Sequence, residues 1–143
     1  MSEAPSLHSR RSITLRFDIP ISKTHEFWDS LKNGKFVTTR CAKCGNVSFP
    51  PQVDCPKCMS GESQWLDLGR DATLVTFTHV RTAPASFVGR GPYIIGIGEL
   101  AGGTKVLAWL EGVEPGDARP GMKLKIEFRT SEEGNPYYVF VRP

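Results

Sequence analysis

Cys41-Ala42-Lys43-Cys44-Gly45 and, with ten residues between Cys44 and Cys55, Cys55-Pro56-Lys57-Cys58 hold all four cysteines of the chain as two C-x-x-C pairs. Two residues between the thiols let both sulfurs of a pair turn toward one point. Two such turns together present four thiolates to one tetrahedral Zn²⁺ at about 2.3 Å. Gly45 follows the first pair, where the turn wants a residue tolerant of positive φ. Pro56 fixes φ inside the second. Two disulfides would use the same four residues, but paired C-x-x-C units on a short spacer are among the more specific metal signatures. Iron in a rubredoxin-like centre takes the same ligands. Four thiolates leave no open coordination position, so the metal is expected to hold structure and to perform no chemistry.

Working outward, the metal module is expected over residues 35–64. Lys35–Arg40 reads as a strand leading into the first pair, and Phe49-Pro50-Pro51 makes the link between the pairs stiff and extended. So small a module lacks a core of its own and needs the metal as a staple. Before it, residues 1–21 read as a tail and an extended arm: Ile13, Leu15, Phe17 and Ile19 alternate with Thr14, Arg16 and Asp18. Residues 22–34 read as an aromatic helix, capped by Ser22, running Lys23–Lys32 and stopped by Asn33-Gly34. Phe27, Trp28 and Leu31 share one side of it. They either pack on the body of the same protein or dock on a partner or ligand.

Residues 65–143 change to strand patterning. Thr73–Arg81 is rich in β-branched and aromatic residues, and Tyr93–Leu100 and Lys105–Leu110 flank the hairpin turn Ala101-Gly102-Gly103-Thr104. Met122, Leu124, Ile126 and Phe128 alternate with Lys123, Lys125, Glu127 and Arg129, and Tyr137–Arg142 returns as the last strand. Five strands in this length suit a small closed barrel of the OB type. Two long connections, Thr82–Gly91 and Gly112–Gly121, are candidate functional loops. No helix reads convincingly in this half, unless one turn forms near Glu114–Ala118. The chain is thus mainly β: N-terminal helix, rubredoxin-like four-cysteine zinc ribbon and five-stranded OB-type barrel.

At 143 residues, with 39% hydrophobic and 23% charged residues, the composition is that of an ordinary globular chain. The net charge of +3 is too small to imply a nucleic-acid partner. Residues 65–143 carry nine basic against nine acidic side chains. No run is long enough for a transmembrane helix, and the N-terminus has no signal-peptide h-region. Reduced thiols then point to the cytoplasm. No catalytic constellation emerges. The histidines are His8, His25 and His79, no cysteine is left for nucleophilic work, and Asp67 and Asp71 read as turn residues.

The cysteine motif and Phe49-Pro50-Pro51, with Glu26-Phe27-Trp28, Pro92-Tyr93-Ile94-Ile95, Glu99-Leu100 and Pro120-Gly121-Met122, resemble a family of zinc-ribbon and OB-fold proteins. It has been known as domain of unknown function thirty-five, and the resemblance runs over residues 22–143. It implies a non-catalytic subunit of thiolase-like acyl-CoA enzymes, in archaea alongside hydroxymethylglutaryl-CoA synthase, which bridges enzymes and helps to bind or channel the coenzyme A thioester. On that reading Arg40, Lys43, Arg81 and Arg90 are candidate phosphate partners, because an arginine fork matches phosphate oxygens. Phe49, Phe87 and Tyr93 are candidate walls or stacking surfaces. Phe27, Trp28, Leu31, Pro50 and Pro51 are candidate partner contacts. A second reading, from a different class, is a single-stranded nucleic-acid binder. That would need a basic barrel face with interleaved aromatics, which the balanced barrel half does not offer.

Overall fold

The computed structural model describes residues 17–82 and 91–143. The arm up to Arg16 and the loop 83–90, which holds the candidates Phe87 and Arg90, lie outside the described residues. Helix α1, His25–Lys32, begins two residues later than expected. Thr24 is its N-cap and Ser22 does not cap it. A turn closed by the Thr24 N–H on the Ile21 carbonyl precedes the helix, and Ser22 instead offers its carbonyl oxygen to His25 Nδ1 at 2.9 Å. Asn33 and Gly34, the latter at φ 74°, end the helix, and Phe27 and Leu31 form its buried face.

Three strands follow: β1 (Val37–Cys41), β2 (Val47–Ser48) and β3 (Ser63–Asp67), in the order β2-β1-β3. β3 carries the ribbon sheet across the boundary expected at Gln64, because it pairs along β1 from Val37↔Asp67 to Cys41↔Ser63. The ribbon is thus framed on the residues next to its first thiol.

The barrel is built from β4 (Asp71–Val80), β5 (Tyr93–Glu99), β6 (Lys105–Leu110), β7 (Lys123–Thr130) and β8 (Pro136–Val141). Its closed order is β4-β5-β6-β8-β7. Every pairing is antiparallel except β6–β8, where Trp109 faces Val139 and Leu110 faces Phe140 in a parallel ladder. β4 serves two neighbours, β7 through Asp71–Thr73 and β5 through Thr73–Val80, with a register shift between Leu74 and Thr76. Such a bulge bends a strand enough to close a small barrel.

The interior is filled by side chains. Leu74, Ile94, Val106, Leu110, Leu124, Ile126 and Phe140 are all buried. β5 contributes Gly96 and Gly98 to that interior; a Cβ on Gly98 would lie 2.5 Å from Cζ of Phe140. The Phe140 ring therefore occupies the space that any other residue at position 98 would need. This lumen is a packed core and not a passage. The Gly112–Gly121 connection makes one turn, closed by Asp117 and Ala118 N–H groups on the Glu114 carbonyl, and adds buried Val113 and Ala118 to the core.

Candidate metal centre and binding faces

Both C-x-x-C turns have the same local construction. The Cys44 N–H points at Cys41 Sγ, 3.5 Å away, and the Gly45 N–H donates to the Cys41 carbonyl at 3.0 Å. In the second turn the Met59 N–H donates to the Cys55 carbonyl at 2.9 Å. Gly45 sits at φ 71° and Met59, its counterpart, at φ 60°, the one non-glycine positive φ among the described residues. β1 and the turn after β2's linker bring the two knuckles face to face. Cys41 Sγ lies 3.6 Å from Cys58 Sγ, Cys44 Sγ lies 3.6 Å from Cys55 Sγ, and all four sulfurs fall within 4.8 Å of one another.

Four sulfurs each about 2.3 Å from a central ion form a tetrahedron with edges of about 3.8 Å. The observed spacing fits that figure and is far longer than the roughly 2 Å of a disulfide bond. The cysteines are free. Their electrostatics ask for a cation. The Cys44 N–H, helped by the Lys43 N–H and neighbouring thiols, draws Cys41 down to about 6. The Cys58 N–H likewise lowers Cys55. At Cys58 the Ser60 N–H pulls the same way, but burial and the three surrounding sulfurs outweigh it and push the thiol up to about 12. Four sulfurs this close do not all ionise alone, and a divalent ion removes the conflict. The residues fit a closed structural Zn²⁺ site formed by Cys41, Cys44, Cys55 and Cys58.

Threonines from β1 lock the linker beside this centre. Thr38 Oγ1 donates to the Ser48 carbonyl, Thr39 Oγ1 donates to the Gln52 carbonyl at 3.2 Å, and the Gln52 N–H donates back to Thr39 Oγ1 at 2.9 Å. The linker in turn delivers Phe49 to an aromatic hub. Phe36, fully buried, has ring centroids of Phe49 at 5.3 Å, Tyr138 at 5.0 Å, Phe27 at 6.1 Å and Phe128 at 6.5 Å. Helix, ribbon and barrel each send rings to this point, in the edge-on and tilted geometries that aromatic quadrupoles prefer. Burial pushes the Tyr138 hydroxyl up to about 12.

Phe49, expected as a ligand wall, belongs to that hub, and Phe27 and Leu31 are buried in the chain's own core. Trp28 retains exposed surface, as do Pro50 and Pro51. Arg40 and Lys43 are exposed on the first knuckle; the Arg40 guanidinium lies along it, 3.7 Å from where a Cβ on Gly45 would sit. Arg81 is exposed at the C-terminal end of β4. The structure thus brings Arg40 and Lys43 together on the ribbon and places Arg81 on the barrel. Tyr93 borders two depressions. One, of about 450 Å³, runs from His79 to Pro115 beside the Gly112–Gly121 connection. The other, of about 920 Å³, lies between Trp28 and the Ser131–Asn135 turn. Sequence reasoning missed the walls of the second groove, Ile95, Leu107, Trp109 and Tyr137. The available signal was that residues 93–98 are apolar or glycine at both alternating parities.

Residues 28–63 match the family model described as ChsH2, rubredoxin-like zinc ribbon domain, and residues 65–129 match ChsH2, C-terminal OB-fold domain. A DUF35 domain-containing scaffold protein of Methanocaldococcus jannaschii is 33% identical over 98 residues, covering 68% of this chain and 70% of that protein. Benzoylsuccinyl-CoA thiolase subunit BbsA of Thauera aromatica is 33% identical over 84 residues, 56% of this chain and 54% of that one. The solved Ltp2-ChsH2(DUF35) aldolase superposes with a TM-score of 0.73 at 23% identity, over 87% of this chain and 98% of that chain, a likeness of fold.

Proposed function

This chain belongs to the DUF35 family of ChsH2-type zinc-ribbon and OB-fold proteins, and from that premise we propose that it is a non-catalytic, zinc-containing accessory subunit of a thiolase-like acyl-CoA enzyme. In that role it bridges subunits and helps to hold or channel the coenzyme A thioester. The observation that carries the reading is the closed four-thiolate site coupled by an aromatic hub to the rest of the chain. A site with no open position suits a structural brace. The hub transmits that brace to Trp28 and to Pro50 and Pro51, which have surface to offer a partner. Phe27 and Leu31 hold the helix that presents Trp28.

Arg40, Lys43, Arg81 and Arg90 are the proposed partners of the CoA phosphates. Phe87 and Tyr93 are proposed to flank adenine or pantetheine, with Phe49 backing the ribbon side from within the hub. The thioester passes over the outside of the barrel, since Phe140 fills its lumen. The partner's reaction is a thiolase acyl transfer or a hydroxymethylglutaryl-CoA synthase condensation, in the cytoplasm, where thiols stay reduced. Among the described residues no helix is long and apolar enough to cross a membrane.

The test is affinity purification from native cells at moderate salt, with zinc counted in the same sample and CoA binding measured on the assembled complex. A co-purifying thiolase-like enzyme, one zinc per chain, and weaker CoA binding on Arg81→Ala/Arg90→Ala or Arg40→Ala/Lys43→Ala support the reading. Unchanged CoA affinity in both double variants removes the phosphate assignment. Bound nucleic acid that dissociates steeply with salt, and no enzyme, replaces the reading with the nucleic-acid one.

A further inference from the structure

We propose that the outer face of β5 and β6, bounded by the Ser131–Asn135 turn, is a docking groove for an extended segment of the partner protein. That segment carries apolar side chains flanked by lysine or arginine. This rests on the accessory-subunit reading and adds where the partner binds and by what chemistry.

The first argument is parity. β5 points Ile94, Gly96 and Gly98 into the barrel, all buried, and β6 does the same with Val106, Ala108 and Leu110. A strand with one wet face should then carry polar residues on the other side. β7 does so, with Lys123, Lys125, Glu127 and Arg129. β5 and β6 instead present Ile95, Ile97, Leu107 and Trp109, with Glu99 and Lys105 paired at one end of the ladder, and Leu107 is 58% exposed. Adjacent apolar residues on two paired strands, rimmed by polar ones, mark a surface that another chain covers.

Shape and charge narrow the occupant. The groove of about 920 Å³ has aromatic walls, with Trp109 6.1 Å from Tyr93 and 6.3 Å from Tyr137 between ring centroids. Its rim carries the exposed carboxylates Glu132 and Glu133, and no lysine or arginine is among its described lining residues. Five-stranded barrels of this type commonly bind polyanions on the same pair of strands, but an acidic rim repels phosphate and attracts cations. A second copy fits poorly. Two-fold pairing across this face sets the acidic turn of each copy against a groove whose described lining residues include no lysine or arginine. An extended segment with basic flanks satisfies both the apolar floor and the acidic rim.

The experiment uses the full-length, zinc-loaded chain and a fluorescein-labelled nonapeptide of alternating leucine and arginine. The same peptide with glutamate for arginine, and oligo-dT, serve as competing probes, with sedimentation run in parallel. The arginine peptide is expected to bind at least tenfold more tightly than the glutamate peptide. Leu107→Asp should weaken it at least tenfold, and Glu132→Lys/Glu133→Lys should reverse the preference. Both variants alter exposed side chains, and unchanged zinc content and thermal midpoint verify that they fold. Equal binding of both peptides, indifference to Leu107→Asp, tighter binding of oligo-dT, or self-association that Leu107→Asp abolishes would each overturn the proposal. An acyl-CoA enzyme held equally by the wild type and Leu107→Asp overturns the groove and leaves the accessory role standing. Peptide discrimination as expected, with no acyl-CoA enzyme bound, upholds the groove and overturns that role.

Discussion

Adding one methyl group at Gly98 asks whether the barrel interior is already full. A Cβ there would lie 2.5, 3.0 and 3.1 Å from Cζ, Cε1 and Cε2 of Phe140. Carbon contacts are comfortable at about 3.5–4.0 Å, so the ring must withdraw by about 1 Å. Phe140 is fully buried and faces Leu110 on one neighbouring strand and Ile126 on the other. It cannot withdraw without moving one of them. Overpacking of this kind costs about 1–3 kcal/mol. Alanine recovers about 0.5–1 kcal/mol over glycine in a strand. A 2.5 Å approach puts the overpacking cost in the upper half of that range, so the expected net loss for Gly98→Ala is on the order of 1–2 kcal/mol. Urea unfolding of the zinc-saturated protein, followed by tryptophan fluorescence, measures it within a double-mutant cycle with Phe140→Leu. In the double variant the new methyl occupies space the ring has vacated, so the coupling should be favourable by about 1 kcal/mol or more. A Gly98→Ala protein within about 0.5 kcal/mol of wild type, or an additive cycle, would refute the close-packed lumen. It would also reopen the barrel as a passage for ligand.

Three further outcomes are expected. Cys58→Ser should abolish stoichiometric zinc and lose the ribbon's protection in amide hydrogen exchange while the barrel strands keep theirs; a variant that still binds one zinc tightly would contradict a four-thiolate site. At the knuckles, Gly45→Ala should lower stability by about 1 kcal/mol because φ 71° strains any side chain. Met59→Gly should leave it unchanged or raise it by up to about 1 kcal/mol, since relief of strain exceeds the added unfolded-chain entropy. Chelator competition reads both, and equal effects at the two sites would contradict the geometry. Tyr138, pushed up to about 12 by burial, keeps its proton in the folded state after the unfolded chain has lost it near 10. Its contribution is thus intact below about pH 10 and lost as pH rises toward 12. In an absorbance titration one of the three tyrosines should ionise late, and Tyr138→Phe should remove that step.

Much of this fold and of its metal centre was legible along the chain. The spacing of Cys41, Cys44, Cys55 and Cys58 is a local constraint: two residues per turn dictate which sulfurs converge, whatever the rest of the protein does. The alternation in 122–129 and the glycines of 101–104 similarly specified strands and a hairpin, because side-chain direction along a strand repeats every two residues. Even the end of α1 at Asn33-Gly34 follows from one residue's freedom to take positive φ.

The tertiary structure decided what depends on residues far apart. Phe36, Phe49, Phe128 and Tyr138 meet only once the barrel closes, so no local pattern announces that Phe49 braces the ribbon against β8. β3 reads as the start of the barrel half, but its hydrogen bonds go to β1, whose edge opposite β2 it completes. The parallel β6–β8 pairing and the Gly98–Phe140 fit likewise arise from closure. The apolar outer side of β5 was written in the sequence. That it faces outward became visible only when the opposite parity was seen to fill the barrel.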